Sequence, residues 1–203
     1  MRKIAKLLTI ALLIAAVCWI GDIICDRKTL NNELIRLHVV ADSDSAEDQT
    51  IKLQVRDAVT EYLQANMTHI TDSREAKTFL QQHIRQLTET ANQVLAECGS
   101  SDRAEITLEK EAFPKREYDT FTLPAGVYES LRIRIGDAKG QNWWCVVFPS
   151  LCIPAVGEDF TDVAAGAGFD EPLTGALQGE KNYQIRFFFL DCMGWLQNLF
   201  HNS

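Results

Sequence analysis

Asp42, Ser43, Asp44, Glu47 and Asp48 set alternate carboxylates close together, as the opening of a calcium loop does. The rest of such a loop is missing. Counted from Asp42, the sixth position holds Glu47 where the sharp turn needs Gly, and the twelfth holds Leu53 where a bidentate Glu belongs. These acids suit a helix N-terminus instead, where the macrodipole favours negative charge. His38 and Cys145 have the residue types of a nucleophile pair, with Asp42 near enough in sequence to orient the imidazole. Cys145, however, lies in an apolar run, where thiols are commonly core or bridged, and no G-x-S-x-G elbow occurs. A secreted hydrolase using this Cys/His pair is therefore the alternative reading. No C-x-x-C pair is present, and His38, His69, His83 and His201 have neither H-x-x-x-H nor H-E-x-x-H spacing, so no metal or other cofactor is expected. The glycines at 136 and 140 lack the Lys-Ser/Thr of a phosphate loop and mark a turn.

Other residue types point to recognition. Arg36 and His38 share one face of a strand and are costly to bury unpaired. With the loop from Asp42 through Asp44 and one face of Trp143-Trp144, they form the expected partner-binding surface. Neighbours on a strand point to opposite faces, so both indoles are covered only if the sheet is covered on both sides; one is expected to be exposed as an interface anchor. Pro149 and Pro154 bend the segment holding Cys145 and Cys152, so a local disulfide between them is expected, with two buried thiols in an apolar strand as the equal alternative.

The elements that position these residues follow from period. Residues Ile35–Val40 read as a strand with Ile35, Leu37 and Val39 on one face. Ser45 and Asp48 form a capping box ahead of a helical stripe of Ile51, Val55, Val59 and Tyr62. Asp72 and Glu75 cap a second helix through Ala76, Leu80, Leu87 and Ala91, which Gly99 stops. Alternation then predicts strands from Ala104 onward, over 118–123, through Leu131, Ile133 and Ile135, over Asn142–Phe148, and over 183–190, with a hairpin at 136–140. Residues 149–180 have no period and read as a long loop, and Met193, Leu196, Leu199 and Phe200 as one short apolar helix. The fold class is α+β, two helices packed on a mainly antiparallel sheet.

At the N-terminus, Arg2, Lys3 and Lys6 precede an apolar run of about fourteen residues, Leu7 to Ile20, shorter than the ~20 of a spanning helix. Residues 1–25 are therefore a signal peptide or an uncleaved membrane anchor, with cleavage favoured, and everything after them is exported. Residues 30–200 are read as one α+β domain with a long loop at about 150–180. The net charge of −8, with three of the twenty Lys and Arg residues in the N-terminal segment, argues against nucleic acid as a partner.

Longer blocks carry a resemblance. Residues 34–45 (LIRLHVVADSDS), 52–59 (KLQVRDAV), Phe113-Pro114, 123–126 (LPAG), 128–132 (YESLR) and 140–152 (GQNWWCVVFPSLC) resemble, in order and spacing, the stage II sporulation protein R family. The resemblance implies a non-enzymatic signalling protein, made in the forespore and secreted into the space between the forespore and mother-cell membranes. Its implied partner is the membrane-embedded sigma-E processing peptidase, an aspartic protease that cleaves the sigma-E precursor, with membrane contact through the N-terminal segment. A passive envelope-binding domain is the third reading.

Overall fold

The computed structural model describes residues 2–149 and 160–201. Its order is α1 (Arg2–Glu33), β1 (Ile35–Val40), α2 (Ala46–Asn66), α3 (Ser73–Glu97), β2 (Ala104–Phe113), β3 (Arg116–Glu117), β4 (Thr122–Leu123), β5 (Gly126–Ile135), β6 (Asn142–Phe148), α4 (Phe160–Gly166), α5 (Glu171–Leu177) and α6 (Gln184–His201), with a 3-10 turn at Lys181–Tyr183 before α6. The two predicted helices start where their caps lie. Ser45 accepts from the Asp48 N–H, and Asp72 from those of Arg74 and Glu75, each satisfying donors that the first helical turn leaves unpaired.

The main sheet runs in the order β2-β5-β1-β6. β1 is parallel to β5 and antiparallel to β6, and β2 is antiparallel to β5, so two of the three pairings are antiparallel. Because β1 is interior and both sheet faces are covered around it, all six of its residues are buried. Ile35, Leu37 and Val39 join α2 and α3 in one core, with Leu80, Leu87, Leu131 and Ile133. The opposite face packs Phe113, Tyr128 and Val146 against α4, α5, α6 and the last turns of α1, through Ile23, Leu30, Leu173 and Leu190. Helices thus cover both faces of the sheet, where sequence alone indicates one pair on one face.

Four local expectations change. Residues 118–123 are not one strand: the Tyr118 N–H donates to the Phe121 carbonyl, their rings stack at 4.7 Å, and the chain turns back between β3 and β4. Residues 136–140 do not form a hairpin, because β1 lies between β5 and β6; the connection passes over the end of β1, with Lys139 and Gly140 donating to the Asp42 and Ala41 carbonyls. Residues 183–190 are not a strand. Phe187, Leu190, Met193 and Gly194 keep helical spacing against the second core, so the run of three phenylalanines forms part of α6. The described part of the 149–180 segment contains α4 and α5.

Candidate functional site

Strand alternation sends Arg36 and His38 to the second face of the sheet, and there the structure covers them. Arg36 is 0% exposed. Its Nη2 donates to the Tyr118 hydroxyl at 2.7 Å, and the guanidinium lies 4.1 Å from the Phe113 ring centre and 5.4 Å from that of Tyr128. Among the described residues, its Nε and Nη1 have no hydrogen-bond partner. Burial lowers the guanidinium pKa, with Tyr118 and Tyr128 opposing; burial likewise raises that of the Tyr118 hydroxyl, with Arg36 opposing. A cation held by aromatic faces and one phenol has given up hydration for partial compensation only.

His38 is 5% exposed and spans two partners, Nδ1 to the Glu111 Oε1 and Nε2 to the Asn142 Oδ1, each at 2.7 Å. An ionised carboxylate only accepts, so the proton on Nδ1 donates to Glu111. Burial by itself would push the Glu111 carboxyl up; the His38 hydrogen bond, with Arg132 3.8 Å away, brings it below its ordinary value. Beyond His38 the same face opens to solvent, where cross-strand ion pairs join Arg132 to Glu109 and Arg134 to Glu105. Arg36 and His38 are therefore not on an open docking face. A partner reaching either would have to displace the layer formed by Tyr118, Phe113 and Trp144.

The end of β1 does reach solvent. Asp42 is partly buried, and its Oδ1 accepts the Asp137 N–H at 2.6 Å, tying the β1–α2 loop to the β5–β6 connection. Gly136 makes this approach possible: it has φ +56°, and a Cβ there would collide with the Asp42 carboxylate. The Ser43 hydroxyl donates to Asp48, whose carboxyl is held below its usual range by the Ser43 and Ser45 side chains. Buried Lys52 clamps the corner from below, donating to Gln49 at 2.6 Å and to the Gln141 carbonyl at 3.0 Å. Asp44 projects from this fixed loop into solvent.

Beside that corner, β6 carries the two tryptophans on opposite faces. Trp143 lies on the α2 side under Arg56 at 4.4 Å and is 38% exposed, whereas Trp144 lies on the second face under Arg116 at 3.7 Å and 5.6 Å from the His38 ring. The structure thus brings Asp42, Asp44 and Trp143 to one exposed corner, and Arg36, His38 and Trp144 to the packed layer behind it. Sequence reasoning missed Glu111, Tyr118, Asn142 and Lys52 as their supports. Glu111 had a signal, since it falls on the same strand face as Glu105 and Glu109 along β2; the partnership with His38 has none, the two being 73 residues apart.

The Cys/His nucleophile pair does not form. In the β1–β6 register His38 faces Trp144 and Cys145 faces Leu37, which places the thiol's side chain on the opposite face of the sheet from the imidazole. Cys145 is buried; Cys152, the other half of the expected disulfide, lies outside the described residues, while Cys18, Cys25, Cys98 and Cys192 are free thiols. Among the described residues no three His, Cys, Asp or Glu side chains converge as metal ligands, and Asp42 and Asp48 spend their carboxylates on the loop itself.

The family model described as stage II sporulation protein R matches residues 31–158, from the end of α1 through β6. The stage II sporulation protein R of Bacillus subtilis (strain 168) is 34% identical over 121 residues, which cover 60% of this chain and 54% of that protein, so the match spans about half the length of the relative. No solved structure matches the chain.

Proposed function

The chain belongs to the stage II sporulation protein R family, and we propose that it is an exported sporulation signal that switches on the membrane-embedded aspartic protease processing the sigma-E precursor. The observation carrying this reading is α1. It is a 32-residue helix with an apolar, uncovered N-terminal part that fits a signal or anchor segment, and its last turns are built into the core of the folded domain. Asp26 pairs with Arg186 at 2.5 Å, and Arg27 reaches the Tyr128 hydroxyl and Gln197. A domain joined so closely to a membrane-entering helix stands at the bilayer surface, where the exposed part of a membrane-embedded protease is within reach.

The forespore is the source, and the space between the forespore and mother-cell membranes is where the domain acts. The exposed corner of Asp42, Asp44 and Trp143 meets the protease; Arg36, His38 and Trp144 hold that corner from behind. By linkage, the domain activates only if it binds the active state of the protease better than the inactive one. Co-expression of the chain, the protease and the sigma-E precursor in a non-sporulating host tests the reading. Precursor cleavage that depends on the chain is the expected result. Cleavage indifferent to it, or none in its presence, leaves a passive envelope-binding domain.

A further inference from the structure

Helix α6 has two apolar faces, and the domain uses only one. Phe187, Leu190, Met193 and Gly194 turn inward to the second core. Ile185, Phe188, Phe189, Trp195, Leu199 and Phe200 recur at the spacing of the opposite stripe and all lie exposed, Phe200 at 82%. Over 18 residues, about 27 Å of helix, no charged side chain interrupts that stripe. The charged residues of α6 are engaged elsewhere: Arg186 holds Asp26, and Asp191 accepts the Ala125 N–H at 2.7 Å. An uncovered apolar face of this length is not what a freely diffusing domain presents to water.

What covers it is indicated by its neighbour. The Phe189 ring meets Trp19 of α1 edge-to-face at 5.1 Å, so the stripe continues directly into the uncovered apolar surface of α1, including Ile20 and Ile24. Trp and Phe gather at this junction, and these are the residues that settle at the boundary of headgroups and acyl chains. We infer that α6 is a membrane-interface helix, its outer face seated in the boundary layer of the same bilayer that α1 enters. The inference rests on the reading of α1 as membrane-inserted. Two attachments, one entering the bilayer and one in its boundary layer, fix the orientation of the domain on the bilayer as well as its height, and the second persists if α1 is cut near Cys18.

Photo-crosslinking tests this in the full chain. A benzophenone amino acid is placed singly at Leu12, Phe188, Leu199 or, as an exposed control on α3, Gln86, and each protein is reconstituted in phosphatidylcholine vesicles and irradiated. All four side chains are exposed, and unchanged melting curves confirm the fold. Phospholipid adducts several-fold above the Gln86 level at positions 12, 188 and 199 are expected. Adducts at 12 with only the Gln86 level at 188 and 199 overturn the α6 inference alone, as do protein–protein adducts at 188 and 199, which assign the stripe to a second copy. Absence of lipid adducts at 12 overturns the membrane reading of α1 on which the inference stands.

Discussion

Arg36 and Trp143 lie on adjacent strands, yet one is buried and the other partly exposed. Trp143 is partly exposed over Arg56, so Trp143→Ala, or Asp44→Ala on the neighbouring loop, should reduce precursor cleavage in the co-expression assay at little cost in stability. For Asp44→Ala the cost should stay within about 0.5 kcal/mol, as for surface sites generally. Arg36→Ala leaves a cavity under Phe113 and Tyr128, costing roughly 2–5 kcal/mol by analogy with other large-to-Ala core changes, and its activity should fall in step with its melting temperature. Arg36→Met keeps the volume and removes a poorly compensated charge, so its stability should stay within about 1.5 kcal/mol of the parent. Denaturant unfolding of the four variants separates these outcomes. Glu111 adds a pH signature. Its carboxyl is held below the ordinary value in the folded state, so its stabilising effect is complete above the usual carboxylate range and is lost as pH falls through the lower folded value. The melting-temperature gap between the parent and Glu111→Gln should therefore be widest near neutrality and close in acid; a gap constant with pH would remove His38–Glu111 from the account.

At the scale of elements, α1 divides into an uncovered apolar part, which fits a signal or anchor segment, and a part built into the second core. Leu12 and Leu13 are exposed and make no part of either core, so Leu12→Arg with Leu13→Arg should leave the domain folded while blocking export, at about 2.5–3.5 kcal/mol per charge at a membrane-spanning centre. Fractionation of the double variant checks this: a folded chain retained in the cytoplasm and silent in signalling is expected. The connection after β5 and the loop after β1 form another unit, held by Asp42 and Gly136. Next to it, β6 leads toward Cys152, and closing the short loop from Cys145 would stabilise the domain by roughly 2–3 kcal/mol in the chain-entropy view. Non-reducing peptide mapping should recover the Cys145–Cys152 peptide pair; two alkylatable thiols would show the segment unbridged.

For the whole molecule, the second core is completed from both ends of the chain, with Ile23 and Leu30 from α1 and Leu190 from α6 meeting over the sheet. The family match, residues 31–158, includes neither α6 nor most of α1. Truncation measures what these ends supply. Deleting residues 2–18 removes only uncovered helix and should leave thermal unfolding cooperative. Deleting 2–31 also removes Ile23, Leu30 and the partner of Arg186, costing on the order of 3–6 kcal/mol from the two apolar side chains alone, a large share of the ~5–15 kcal/mol that holds an ordinary domain together. Equal stability of the two truncations would show that the end of α1 is dispensable.

The sequence by itself determined what depends on short range: the β1 alternation, the caps at Ser45 and Asp72, the stop at Gly99, the basic head with its apolar run, and the opposite facing of Trp143 and Trp144. Its block pattern also determined the family. Tertiary structure decided what depends on distant partners. A strand's period says that Arg36 and His38 share a face but not that Tyr118, Glu111 and Phe113 cover it. The apolar run at 183–190 fits either a strand or a helix until the second core selects the helical face. The turn at 136–140 resembles a hairpin until β1, a hundred residues earlier in the chain, is found between its two strands. Local propensity fixes the direction in which a side chain points; the free energy of packing decides what it meets there.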